Sequence, residues 1–215
     1  MSRRPRLLAL AVLLPLAAGA CVSREPLVPR RFVPDVQRPG PPAPPGEGTL
    51  LLGPVRVSPL FERTPFVVRT GESTWAEDPY HGWFVAPALV LRELTAAWLA
   101  GAGLYARVVG DEHRGSADAV LDGRVDALHF DLRDPLSPAA VLEVEFVLRE
   151  LAGVERVERF RRRYAVRVPA AGSTAEAAGP RGAGALVSSL GEALSQVLQR
   201  LEDDLRALAA SAAGT

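Results

Sequence analysis

Apolar and polar positions alternate most clearly over Val141–Leu151, where Leu142, Val144, Phe146 and Leu148 point one way and Glu143 and Glu145 the other. That period of two predicts a strand with one buried face. Ala152-Gly153 is a turn candidate. From Glu155 to Val168 the alternation returns, with Phe160, Tyr164, Val166 and Val168 inward and Arg159, Arg161, Arg163 and Arg167 outward; only Arg162 breaks it. Leu50–Val57, Phe66–Arg69, Tyr105–Val109 and Ala119–Asp131 also read as strands, and Pro54 marks an edge or a bulge in the first. Trp75, Tyr80, Trp83 and Phe84 crowd a segment that reads as an aromatic loop.

The period changes to three-and-four in two places. Pro87 suits the first turn of a helix, since its φ is already helical and its missing N–H costs nothing there. Val90, Leu94, Ala97 and Trp98 then form an apolar stripe to about Ala100, and Gly101 or Gly103 can end it. A longer helix is predicted over about Ala183–Ala210, with Val187, Leu190, Leu194, Val197, Leu201, Leu205 and Leu208 on one face and Glu192, Gln196, Gln199, Glu202, Asp203 and Arg206 on the other. Residues 170–181 read as a loop of small residues. Strands with one polar face each, plus two amphipathic helices, predict an α+β fold: an antiparallel β-sheet with two main helices packed on one face.

The N-terminus follows a different pattern. Arg3, Arg4 and Arg6 precede the apolar run Leu7–Leu16 and the small residues Ala17-Ala18-Gly19-Ala20. These are the parts of a secretory signal over residues 1–20, too short to span a bilayer; a buried core helix is the alternative. Cys21, the only cysteine, follows at once. Ala18-Gly19-Ala20-Cys21 resembles a bacterial lipobox, in which the thiol is acylated and then carries palmitate-type chains. Ordinary signal cleavage, leaving a free N-terminal thiol, is the alternative. Eight prolines in residues 22–49 predict an extended linker, which with Cys21 forms a tether over residues 21–49 with a reach of up to about 80 Å; a PxxP ligand is the other reading of that composition. The folded domain is expected over residues 50–210.

Charge and chemistry narrow the function. The chain has 25 basic residues, all arginine, and 25 acidic ones. With the leader removed the balance is slightly acidic, which argues against a general nucleic-acid binder. His81, His113 and His129 lack metal-ligand spacing, so no metal or cofactor is expected. Neither a nucleophile elbow nor a phosphate loop is present. Glu143 and Glu145 face an arginine-rich strand, where cross-strand pairing explains them better than catalysis. The residues left as partner or head-group contacts are Trp75, Tyr80, Trp83, Arg159, Arg161 and Arg163. For the aromatics, packing at the end of the core is the competing reading, and the favoured one for Trp83 beside the helix; for the arginines, it is a solvated face neutralised by neighbouring glutamates.

The order of these elements resembles the auxiliary lipoproteins of ABC-type transport systems, the family that includes the PqiC lipoproteins. The resemblance lies in Gly53-Pro54-Val55-Arg56-Val57, Phe61-Glu62-Arg63 and Val67-Val68-Arg69-Thr70-Gly71. It continues through Tyr80 and Trp83, Pro87 leading to Leu91-x-x-Leu94, and Gly103-Leu104-Tyr105-x-x-Val108. It implies a protein that is not an enzyme. Its expected partners are the membrane, through the lipid anchor, an ABC permease and ATPase, and an MCE-type substrate-binding protein; a homo-oligomer is compatible. Docking that complex at the periplasmic face of the outer membrane, for lipid or hydrophobic-solute transport, is the implied role. Val22 is not the Asp that retains such proteins at the inner membrane, which is the alternative location. A lipid-carrying or structural envelope-assembly lipoprotein is the alternative function.

Overall fold

A computed structural model of the chain describes residues 28–152, 155–177 and 182–213. The signal segment and Cys21 lie outside the described residues. Among those residues the strands are β1 Arg30–Phe32, β2 Thr49–Val57, β3 Pro65–Arg69, β4 Trp75–Trp83, β5 Arg107–Val109, β6 Ala119–Asp131, β7 Ala139–Ala152 and β8 Glu155–Pro169. The helices are α1 Pro87–Ala102, the single turn α2 Thr174–Ala177, and α3 Ala183–Ala213.

The fold is α+β, with eight strands in one sheet and α1 and α3 on one face. β6 organises it. One edge of β6 pairs antiparallel with β7 along its whole length, and β7 pairs antiparallel with β8. The other edge is shared: β2 runs parallel to its first half and β3 parallel to its end. A 13-residue strand spans about 40 Å, long enough to seat two short strands end to end. The sheet is therefore mixed. The antiparallel expectation holds for β6–β7–β8 and β3–β4, while β1–β4, β2–β5, β2–β6 and β3–β6 are parallel.

The core lies between the sheet's inner face and the two helices. Leu50, Leu52, Leu121, Leu142, Val144 and Phe146 of the sheet meet Leu91 and Leu99 of α1 and Leu190, Leu194, Val197, Leu198 and Leu201 of α3. Each fully buried leucine contributes roughly 2 kcal/mol of transfer free energy. Pro87 does open α1, and Gly103, at φ 66, closes it in the left-handed region. The register of β2 on β6 shifts between Leu52 and Val55, so Pro54 sits at a bulge. At Gly53 a Cβ would run into the Asp122 carboxylate, which would have to move to admit a side chain there.

Two expectations are corrected. Trp75–Trp83 is a strand, not a loop; its alternation is hidden by a wide bulge that sets Glu77 against Val67 but Gly82 against Pro65. The proline-rich segment is no free linker from residue 30 onward. β1 pairs parallel with the end of β4. The chain then crosses the helices as a strap. The Asp35 carbonyl rests on Gly191 of α3, Ala43 N–H donates to the Gly101 carbonyl at 3.0 Å, and Gly46 packs against the Leu104 carbonyl. Eight residues separate Cys21 from Arg30, a reach of about 30 Å at most.

Candidate functional site

The strap is fastened by a buried charge cluster. Glu202 of α3, read from the sequence as part of the helix's polar face, is 2% exposed. It accepts hydrogen bonds from Arg38 Nε at 2.8 Å and Nη2 at 2.7 Å, from Trp98 Nε1 of α1 at 2.9 Å, and from Arg206 Nη2 at 2.8 Å. Burial alone would push the Glu202 carboxyl up; the bonds from Arg38, Arg206 and Trp98 outweigh it and hold the group down at about 2. Arg206 also donates to the Ala102 carbonyl at 2.5 Å, placing a cation at the C-terminal end of α1. One carboxylate thus joins strap, α1 and α3.

The candidate contact residues do not form one surface. Trp83 is core: 3% exposed and edge-on to Phe66 at 5.4 Å. Tyr80 is half-buried, its backbone N–H bonded to Asp78 at 2.8 Å. Arg159, Arg161 and Arg163 stand on the outer face of the sheet, and each meets a carboxylate. Arg159 bonds Glu150 at 2.8 Å, Arg161 bonds Glu145 at 2.8 Å and Glu158 at 2.8 Å, and Arg163 bonds Glu143 at 2.6 Å. This is the cross-strand pairing expected of Glu143 and Glu145. Arg162, the break in the pattern, turns toward α3 and lies 3.4 Å from Asp204, beside the Tyr164 hydroxyl that donates to Asp204 at 2.7 Å.

Trp75 belongs to a different neighbourhood, at the far end of β6 on the outer face. Its ring meets His129 edge-on at 4.8 Å and Phe61 at 5.8 Å, with the Arg69 guanidinium over it at 5.2 Å. Beside this cluster opens a basin of about 360 Å³ lined by Arg69, His129, Asp131, Arg133, Val141, Glu143, Ala165 and Arg167. Asp131 is 4% exposed and takes a two-pronged bond from Arg133, Nε and Nη2 both at 2.9 Å. Those bonds hold its carboxyl at about 2. His129 is pushed down to about 4, by burial first and by Arg69 and Arg133 next, so it is neutral at neutral pH. Its Nδ1 has no hydrogen-bond partner among the described residues. Sequence spacing missed this basin because its arginines come from β3, β8 and the loop after β6.

A second concavity, about 640 Å³, opens at the opposite end of β6 on the helix side. Leu104, Leu148, Leu151, Leu205, Leu208 and Ala212 wall it, with Glu47, Asp118 and Glu150 among its polar lining. His81 is buried against Asp78, Nδ1 to Oδ2 2.8 Å. No group of residues with metal-binding geometry occurs among the described residues, nor does a helix long and apolar enough to cross a membrane.

The family model for the ABC-type transport auxiliary lipoprotein component matches residues 33–202, strap included. The chain belongs to that family. Its beginning at Val33 rather than Leu50 agrees with the docking of the strap onto the helices. Among solved structures, protein XCC0632 from Xanthomonas campestris, of the DUF330 family, superposes with a TM-score of 0.71 at 18% identity, covering 86% of this chain and 100% of that one. An uncharacterized protein superposes with a TM-score of 0.59 at 14% identity, covering 80% and 99%. Both show the same fold. No curated protein matches the sequence. Family membership makes the chain a transport auxiliary component of the cell envelope.

Proposed function

We propose that the chain is acylated on Cys21 and works from the periplasmic face of the outer membrane. There it docks an MCE-associated ABC transport complex that moves lipids or hydrophobic solutes. The family match over residues 33–202 carries the reading. The short segment between Cys21 and β1 supports it further, since an acylated Cys21 would keep the domain within about 30 Å of the bilayer. The role is mechanical rather than catalytic: Glu143 lines the outer basin, but its carboxylate is held by Arg163 at 2.6 Å. Intact mass of the processed protein tests the anchor. Added acyl chains on Cys21, together with release of Cys21→Ala from membranes, are expected; an unmodified N-terminal cysteine with unchanged membrane retention contradicts it.

The end groove favours one second reading, a protein that carries a lipid itself. Its volume of about 640 Å³ and leucine walls suit an acyl chain. Native mass spectrometry after incubation with phospholipid separates the two, because stoichiometric bound lipid supports a carrier.

A further inference from the structure

The outer basin has a charge arrangement that the pairing of the sheet does not use up. Three guanidinium groups, those of Arg69, Arg133 and Arg167, line it against two carboxylates, Asp131 and Glu143. Glu143 is already bound by Arg163 at 2.6 Å, outside the basin. Asp131 is held by Arg133, Nε and Nη2 both at 2.9 Å. Arg133 also reaches Glu72 at 2.9 Å, and Glu72 is almost fully exposed. Arg167 comes no closer than 3.7 Å to Asp131, and it donates a long hydrogen bond of 3.3 Å to the Ser137 carbonyl. Arg69 donates to the Gly71 carbonyl at 3.3 Å and to the Glu72 carbonyl at 2.7 Å, and lies 3.7 Å from the Glu72 carboxylate. A guanidinium has five N–H donors, so Arg167 and Arg69 each keep some to spare. Both are partly exposed, Arg69 to 25% and Arg167 to 45%.

The floor suits a compact ligand. Val141 and Ala165 present small apolar surface, and neutral His129 adds no like or opposing charge. Trp75 and Phe61 stand against His129 at the edge. Asp131 and Glu72 hold Arg133 through all three of its nitrogens, so its positive charge is fixed in place before any ligand arrives.

We infer that this basin binds a phosphate-class oxyanion, with Arg167 and Arg69 as the principal donors and Arg133 as the fixed third. Fork-shaped guanidinium donors match the oxygen geometry of phosphate. Two sources share that chemistry: a free phosphate, and the phosphodiester of a lipid head group. The site stands apart from the lipid anchor and from the transport reading, since it uses neither Cys21 nor any partner.

Calorimetric titration of the full chain in neutral detergent, with inorganic phosphate in one arm and glycerophosphoglycerol in the other, tests it. Saturable binding of at least one is expected. Binding of the diester alone assigns the site to a head group, and binding of inorganic phosphate alone assigns it to the free anion. Arg167→Gln should weaken binding by about tenfold or more, the loss of one charge-assisted contact. Ala165→Glu, which adds a carboxylate to the floor at an exposed position, should weaken it similarly and keeps the test available if Arg167→Gln misfolds. Arg161→Gln, on the same face but outside the basin, should leave it unchanged. Binding of neither probe, or equal weakening by Arg161→Gln, overturns the inference.

Discussion

Arg38 and Glu202, 164 positions apart, meet through two hydrogen bonds of 2.8 and 2.7 Å, and this pair fastens the N-terminal strap to the last helix. The strap follows β1, whose pairing with β4 holds the chain at Arg30–Phe32, so the Arg38–Glu202 contact governs whether residues 33–47 stay on the helices.

Arg38→Ala is therefore expected to destabilise the fold by about 2 kcal/mol, with Arg206 and Trp98 still holding the buried carboxylate. Limited proteolysis should show new cleavage within residues 33–47 while the sheet stays protected. Denaturant unfolding with a fragment map checks both outcomes.

Acid should loosen the same contact. Glu202 is held at about 2, well below an unfolded glutamate near 4.3. Its contribution is fully present above the unfolded value and is lost as pH falls from about 4.5 toward 2. Asp131, also held at about 2, adds to the same window. Melting curves across that range should fall steeply for the wild type. Glu202→Gln should be less stable at pH 7 and show a shallower fall, with the Asp131 share remaining.

Gly191→Ala tests the strap from the helix side. Alanine normally gains about 1 kcal/mol over glycine inside a helix. Here its Cβ would strike the Asp35 carbonyl. The expected result is a net loss, on the order of 1–3 kcal/mol, with faster amide exchange around residues 33–38.

His129→Phe should stabilise the protein at pH 7 by about 1 kcal/mol, because it removes a buried ring nitrogen that has no hydrogen-bond partner among the described residues. The gain should grow as pH drops. Native His129 takes up its proton near 4 and an unfolded histidine near 6.5, so acid favours the unfolded wild type across that interval. Equal melting-temperature shifts at pH 7 and pH 5 would contradict this.

Much of the fold was legible because side chains along one element share one environment. Leu142, Val144 and Phe146 alternate with Glu143 and Glu145, and that alternation named both the strand and its open face. Pro87 marked the start of α1 through backbone φ, and of the two glycines offered for its end, Gly101 and Gly103, it is Gly103 that closes it. The strap was not legible. Proline content reports that a segment lacks its own hydrogen-bond ladder, and says nothing about an arginine reaching a carboxylate 164 residues away. Glu202 looked solvent-facing because helix periodicity cannot see the strap that covers it. The parallel pairs escaped for a similar reason, since β2 and β3 share one edge of β6 and no local signal encodes that division. The basin gathers Arg69, Arg133 and Arg167 from three separate elements, so it exists only once the sheet is paired.

The proposed role is service to an ABC transport complex from the membrane. Affinity purification of the full chain from membranes solubilised in mild detergent, with bound proteins identified by mass spectrometry, decides it. An ABC permease, its ATPase and an MCE-type protein are expected with the wild type, and their loss with Cys21→Ala. Recovery of the wild-type chain from membranes with none of these transport components would contradict it.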